Sequence, residues 1–274
     1  MNRKRRRGGI VIVGVIKAAR SVHELGARPK SLDDDPKGCI IKIVFQILYR
    51  VIKKWGVFMY EKREKLCGVI AVVYYIAYWF LLLLCGKVQV LTQSRLFTTV
   101  LYTLIFVLTV AFVYRKEHSW RSLGFPGEKN TKTDLWLGAV LILAGICIKI
   151  FLVWKAFGQL TEDLWFQILW TIPYYLFYIA AVEEILFRGF IQNYLFGLNL
   201  NPKLVFCLGG IFFSLFHLPY QMYNRGFSSL LVYTVQMIPS LVFIFFVHLA
   251  LCLIAKKRES IILPIVIHFL MDYL

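Results

Sequence analysis

Long apolar runs separated by short basic stretches dominate the chain from residue 66 onward. A run of about 20 apolar residues is long enough to cross the hydrocarbon core of a bilayer as a helix. The pattern predicts seven spans, with Pro219 ending the fifth, at residues 66–85, 96–114, 135–154, 165–196, 204–218, 228–255 and 261–274. We therefore expect an all-α fold, a polytopic transmembrane bundle of about 7–8 helices, with residues 66–274 as its membrane domain.

Residues 1–65 follow a different pattern and form a basic N-terminal extension. Between residues 38 and 60, apolar side chains recur at helical spacing with Lys and Arg between them. This is typical of an amphipathic helix lying on an anionic membrane surface. A helix packed against the membrane domain, with no contact to lipid head groups, would show the same periodicity.

Composition and charge agree with a membrane protein and not with a nucleic-acid-binding protein. The chain is 59% hydrophobic, well above the value of about 45–50% for soluble domains. Its net charge of +17 comes mostly from loops and from the first 65 residues, where the positive-inside rule places Lys and Arg. No recognised nucleic-acid module accompanies that charge. We expect a multi-pass integral protein of a prokaryotic plasma membrane, with a cytoplasmic N-terminus and membrane lipids as partners.

Ionisable residues inside the spans are the candidates for function, because a charge at the bilayer centre costs roughly 3 kcal/mol or more. They are Glu183, Glu184 and Arg188 in the fourth span, His217 in the fifth, His248 in the sixth, and His268 and Asp272 in the seventh. With a helical rise of about 1.5 Å per residue, four of them lie roughly 15–20 Å from the basic end of their helix: Glu183, His217, His268 and Asp272. These titratable side chains therefore lie in one layer of the membrane.

Spacing along the helices divides these residues into roles. Glu184 and Arg188 are i,i+4 neighbours and can neutralise each other, whereas Glu183 points about 100° away. A carboxylate facing imidazoles in a dry site can act as a general base on water, and the remaining His and Asp could stabilise an oxyanion. His248 has no such partner, so we interpret it as a packing residue. The aromatic run at 165–178 we interpret as a lipid-facing belt.

Three motifs in this order resemble the CPBP family of intramembrane endopeptidases, which includes the CAAX proteases and bacteriocin-processing (Abi) proteins. The motifs are Glu-Glu-x-x-x-Arg from Glu183, Phe-x-x-x-His from Phe213 and His-x-x-x-Asp from His268, and the resemblance covers about residues 165–274. It implies that Glu183 and His217 activate a water, that His268 and Asp272 hold the oxyanion, and that Glu184 and Arg188 support the site. The expected activity is hydrolysis of a peptide bond in a membrane-associated or lipid-modified (for example prenylated) peptide, without a cofactor.

Asp272 leaves alternatives open, because the family's best-characterised members carry Asn there and an ionised Asp cannot donate to an oxyanion. One alternative is a zinc-dependent protease with Glu183, His217 and His268 as ligands. Another is a non-catalytic bacteriocin-immunity or scaffold protein of the same fold. A third is a proton-coupled transporter, which predicts broken helices in corresponding positions of two halves. The span prolines all lie in the second half of the chain.

Overall fold

The computed structural model describes residues 63–125, 128–159 and 161–274. The predicted amphipathic segment at 38–60 and most of the N-terminal extension lie outside these residues. The described chain is all-α, as predicted, and forms seven helices: α1 (Lys65–Thr92), α2 (Leu96–Glu117), α3 (Glu128–Phe157), α4 (Glu162–Leu198), α5 (Pro202–Asn224), α6 (Leu230–Arg258) and α7 (Ile262–Tyr273). Helices α1 to α6 are long and apolar enough to cross a membrane, and α7 is a shorter apolar helix. The protein is an integral membrane protein.

The helix ends follow local chemistry. The α6 N-terminus is capped by Ser229, whose side chain accepts a hydrogen bond from the Val232 N–H. Asn201 caps α5 in the same way through the Lys203 N–H, and Pro202 occupies the first turn, where no N–H is needed. Glu259 ends α6 in the left-handed conformation after a basic last turn. Short polar stretches therefore suffice to turn the chain back into the membrane.

Glycines allow the helices around the site to pack closely. A Cβ atom added to Gly197 at the end of α4 would lie 2.7 Å from the backbone nitrogen of Gly68 in α1. A Cβ on Gly210 in α5 would lie 2.7 Å from the Phe245 ring of α6. Small residues at such crossings let helix backbones approach closely, which is a main source of helix association in lipid.

Helix α4 is not a regular α-helix. After Pro173 it widens into a π-helical segment, Tyr174–Ala180, returns to α geometry for Ala181–Glu184, and widens again at Ile185–Ile191. Such wide turns are rare and frequently occur at functional sites. The two glutamates therefore lie on a single α-helical turn with a wide turn on either side of it.

Helix α5 continues beyond the point where the sequence predicts its end. It breaks at His217 and resumes as Leu218–Asn224. The expectation that Pro219 ends the span is wrong, because Pro219 lies in the first turn of the resumed segment, where a proline costs no hydrogen bond. The break places His217 at the junction of the two helical segments.

Candidate active site

Helices α4, α5 and α7 bring four of the predicted site residues together. One carboxylate oxygen of Glu183, Oε2, lies 3.8 Å from His217 Nε2 and 3.7 Å from His268 Nε2. His268 Nε2 in turn lies 3.5 Å from Oδ2 of Asp272, one turn further along α7. Two imidazole nitrogens and two carboxylates therefore surround one small volume.

Glu184 connects two of the predicted residues. Its Oε1 atom accepts hydrogen bonds from the Arg188 guanidinium and from His268 Nδ1, the latter at 2.8 Å. Glu184 is fully buried, and 4% of Arg188 is exposed. The sequence predicts the pair with Arg188 but not the contact with His268, which lies 84 residues away in the chain. Glu184 is thus both the counter-charge of Arg188 and the carboxylate that orients His268.

The orientation of His217 is set by the backbone of its own helix. Its Nδ1 atom lies 2.8 Å from the carbonyl oxygen of Phe213. A carbonyl oxygen can only accept, so Nδ1 carries the proton and, in the neutral ring, Nε2 keeps its lone pair. That lone pair faces Glu183.

Phe213, the first residue of the Phe-x-x-x-His motif, has a role that the sequence does not reveal. Its ring centre lies 4.7 Å from the Arg188 guanidinium carbon, a cation–π contact. The same ring packs against the rings of His217, His268 and His248, with centres 5.1, 5.9 and 5.2 Å apart. The ring thus provides a common apolar surface on which the guanidinium and the imidazoles rest.

Glu183 and His217 line a cavity of about 490 Å³. Glu183 Oε2 is itself almost fully buried and forms no hydrogen bond with any described residue. The wall includes Trp170, Tyr174 and Tyr178, so the interpretation of residues 165–178 as a lipid-facing belt needs correction for these three. The first wide turn of α4 carries the two tyrosines, and their rings stack with centres 5.5 Å apart.

His248 belongs to a separate group. It is fully buried, and its Nε2 atom lies 3.2 Å from both Gln192 Oε1 and Cys252 Sγ. Gly209 leaves the room for this contact, because a Cβ there would lie 3.2 Å from His248 Nε2. We call His248, Gln192 and Cys252 the His248 cluster. It contains no carboxylate, in agreement with the packing role expected for His248.

The zinc alternative would use Glu183, His217 and His268 as ligands. Within the described residues, no group of three or more His, Cys, Asp and Glu side chains is arranged to hold a metal ion. Ligands of a tetrahedral zinc at about 2.0–2.1 Å would lie roughly 3.3 Å apart, closer than the 3.7 and 3.8 Å that separate Glu183 Oε2 from His268 and His217.

Comparison with known proteins identifies the part of the chain that holds this site. No curated protein and no solved structure matches the chain significantly. Residues 164–274 match the sequence profile of a family described as type II CAAX prenyl endopeptidase, Rce1-like. The match includes all three motifs and begins within one residue of the resemblance noted above, which it confirms. It supports a function of the CAAX-type intramembrane protease kind. Over residues 164–274, about two fifths of its length, the chain is similar to type II CAAX prenyl endopeptidases of the Rce1-like family.

Proposed function

We propose that the protein is an intramembrane endopeptidase that hydrolyses a peptide bond of a membrane-associated, lipid-modified peptide, using a water activated by Glu183 and His217. The observation that carries the proposal is the position of Glu183 Oε2. It lies within 3.8 Å of two imidazole nitrogens, has no hydrogen-bond partner among the described residues and borders the cavity.

The separation of 3.8 Å between Glu183 Oε2 and His217 Nε2 is too long for a hydrogen bond. A water lying about 2.8 Å from both atoms satisfies the geometry and donates one hydrogen bond to each. Glu183 takes a proton as the water oxygen attacks the carbonyl carbon, and the π electrons move onto the carbonyl oxygen. The same proton then passes to the leaving amine nitrogen as the C–N bond breaks, which returns Glu183 to its carboxylate form.

His268 is the proposed donor to the oxyanion. Its Nδ1 proton is held by the Glu184 carboxylate, so Nε2 can donate only if the ring is a doubly protonated imidazolium. The buried Glu184 charge favours that form, much as a buried aspartate supports the histidine of a serine protease. Glu184 then acts as a positioning residue through His268, in addition to balancing Arg188.

Asp272 has two possible roles in this scheme, and both follow from its position 3.5 Å from His268 Nε2. A protonated Asp272 would donate a second hydrogen bond to the oxyanion. An ionised Asp272 would keep His268 charged and would remain partly solvated, since 35% of its side chain is exposed. The substitution Asp272→Asn separates the two, because an amide donates but carries no charge.

The test is cleavage of a fluorescent peptide that ends in farnesylated cysteine followed by Val-Ile-Met, by purified protein in lipid vesicles. We expect Glu183→Gln to lower kcat by roughly a thousandfold, because the amide cannot take the proton, at unchanged expression and melting temperature. Activity should persist in EDTA. Retained cleavage in Glu183→Gln would reject the assignment of Glu183. Loss of cleavage in EDTA, restored by Zn²⁺, would support the metal-dependent alternative. A folded wild-type protein that binds the peptide without cleaving it would support the non-catalytic one.

A further inference from the structure

The cavity that begins at Glu183 carries opposite charges at its two ends. Among the described residues that line it, Glu183 is the single Asp or Glu and Arg95 is the single Lys or Arg. Arg95 lies in the connection between α1 and α2, at the end of the bundle away from the basic turn of Lys256 to Arg258, and is exposed. Within the described chain its guanidinium has no hydrogen bond or salt bridge. A cation at the mouth of a cavity is available for an anionic group of a ligand.

The wall between the two charges is aromatic. The Tyr102 and Tyr178 rings lie 5.4 Å apart, and Tyr174 stacks on Tyr178. Trp170 and Phe216 also line the cavity. Such a wall accommodates apolar side chains of a bound peptide.

The length of the cavity can be estimated along its helices. Arg95 precedes Thr99 by four residues, and the Thr99 carbonyl accepts a hydrogen bond from the Tyr178 hydroxyl at 3.4 Å. Glu183 follows Tyr178 by five residues. With a rise of about 1.5 Å per residue, the axial separation of Arg95 and Glu183 is roughly 14 Å. An extended peptide covers that length with about four residues at roughly 3.3 Å each.

We propose that Arg95 binds the free C-terminal carboxylate of the substrate, and so places a peptide bond about four residues from the C-terminus beside Glu183. This inference rests on the proposed function, since it uses Glu183 as the point of cleavage. Arg95 is a specificity-determining residue in this proposal: it measures the distance from the chain end and takes no part in bond breaking. A guanidinium suits this task, because its fork of N–H groups matches both oxygens of a carboxylate.

The experiment compares two peptides that differ only at the chain end. One is the farnesylated Cys-Val-Ile-Met peptide with a free carboxylate, and the other is the same peptide with a C-terminal amide. Wild-type protein should show a kcat/KM about tenfold higher for the acid, which corresponds to about 1.4 kcal/mol. Arg95→Ala should remove that preference by lowering kcat/KM for the acid peptide while leaving kcat/KM for the amide peptide unchanged. Arg95→Lys should retain part of the preference.

Lys87→Ala is the matched control, since Lys87 is an exposed cation at the same end of the bundle and does not line the cavity. It should keep the preference for the acid. Binding of both peptides to the Glu183→Gln protein, measured by fluorescence anisotropy, gives a second readout that does not need cleavage. A preference for the acid in binding, lost in Arg95→Ala, would support the role of Arg95 even if no peptide were cleaved. An equal preference in wild type and Arg95→Ala, or no preference in either readout, would overturn it.

Discussion

Three histidines pack on the Phe213 ring, and they are of two kinds. The contrast between them shows what a histidine needs in order to take part in catalysis within a membrane. His217 and His268 pack on this ring and face a carboxylate oxygen that borders a cavity. His248 packs on the same ring, but its partners are an amide and a thiol, and it is fully enclosed. His248 is also the most deeply buried, since 15% of the His217 side chain and 9% of the His268 side chain are exposed. Among the described residues, the first group has a carboxylate oxygen without a hydrogen-bond partner and a path for substrate, and the His248 cluster has neither.

The largest effect should come from removing an imidazole from each group in turn. We expect His217→Leu to lower kcat by about 10²–10⁴-fold, because the attacking water loses the imidazole that accepts its second hydrogen bond. His248→Leu should change kcat by less than about threefold per folded molecule and should cost about 1–3 kcal/mol of stability, because the Gln192 amide loses its partner. Cleavage assays and thermal unfolding in detergent measure both. Equal losses of activity in His217→Leu and His248→Leu would contradict the distinction between the two groups.

Substitutions of the two adjacent glutamates should differ more in their effect on protein stability than in their effect on activity. Glu184→Gln leaves Arg188 and His268 without a buried counter-charge, and breaking such a pair costs about 3–5 kcal/mol. Glu183→Gln removes a carboxylate whose Oε2 has no hydrogen-bond partner among the described residues. The melting temperature of this variant should therefore equal or exceed that of wild type. Both variants should lose activity. A lower melting temperature for Glu183→Gln than for Glu184→Gln would contradict the division of the pair into a catalytic and a supporting carboxylate.

Asp272→Asn should produce a smaller change whose sign is informative. If Asp272 donates to the oxyanion, the amide replaces it and kcat stays the same or rises. If its charge keeps His268 protonated, kcat falls by about tenfold, which corresponds to about 1.4 kcal/mol. Steady-state kinetics on the farnesylated peptide decides between the two. A loss as complete as that of Glu183→Gln fits neither role.

The smallest effect concerns the helix that carries His268. The Lys149 ammonium of α3 donates to the Tyr273 carbonyl oxygen at 2.7 Å and lies 5.4 Å from the Tyr273 ring centre, which ties down the end of α7. We expect Lys149→Met to cost about 1 kcal/mol and to lower kcat about threefold. Lys155→Met, an exposed lysine on the same helix, is the matched control. Identical behaviour of the two variants would show that α7 does not need this contact.

The sequence predicts most of the architecture, because continuous apolar runs have few alternatives to membrane helices. It also identifies the chemical residues, since charge in such a run is costly, and helix depth alone groups Glu183 with His217 and His268. The sequence does not predict the contact of Glu184 with His268, because that contact depends on how α4 and α7 cross. Gln192 resembles any polar residue near a helix end, and nothing local marks it as a partner of His248.

The wide turns of α4 also bear on how the chain tolerates changes in length. Each π-helical segment contains one residue more than a regular helix needs to cover the same rise. Deleting one residue from Tyr174–Ala180 would therefore restore regular geometry there and leave the two flanking parts of the helix in nearly the same rotational register. The turn Ala181–Glu184 would keep its place against α7. The two segments thus act as joints on either side of the glutamates, and relatives could differ there by one residue without displacing the carboxylates.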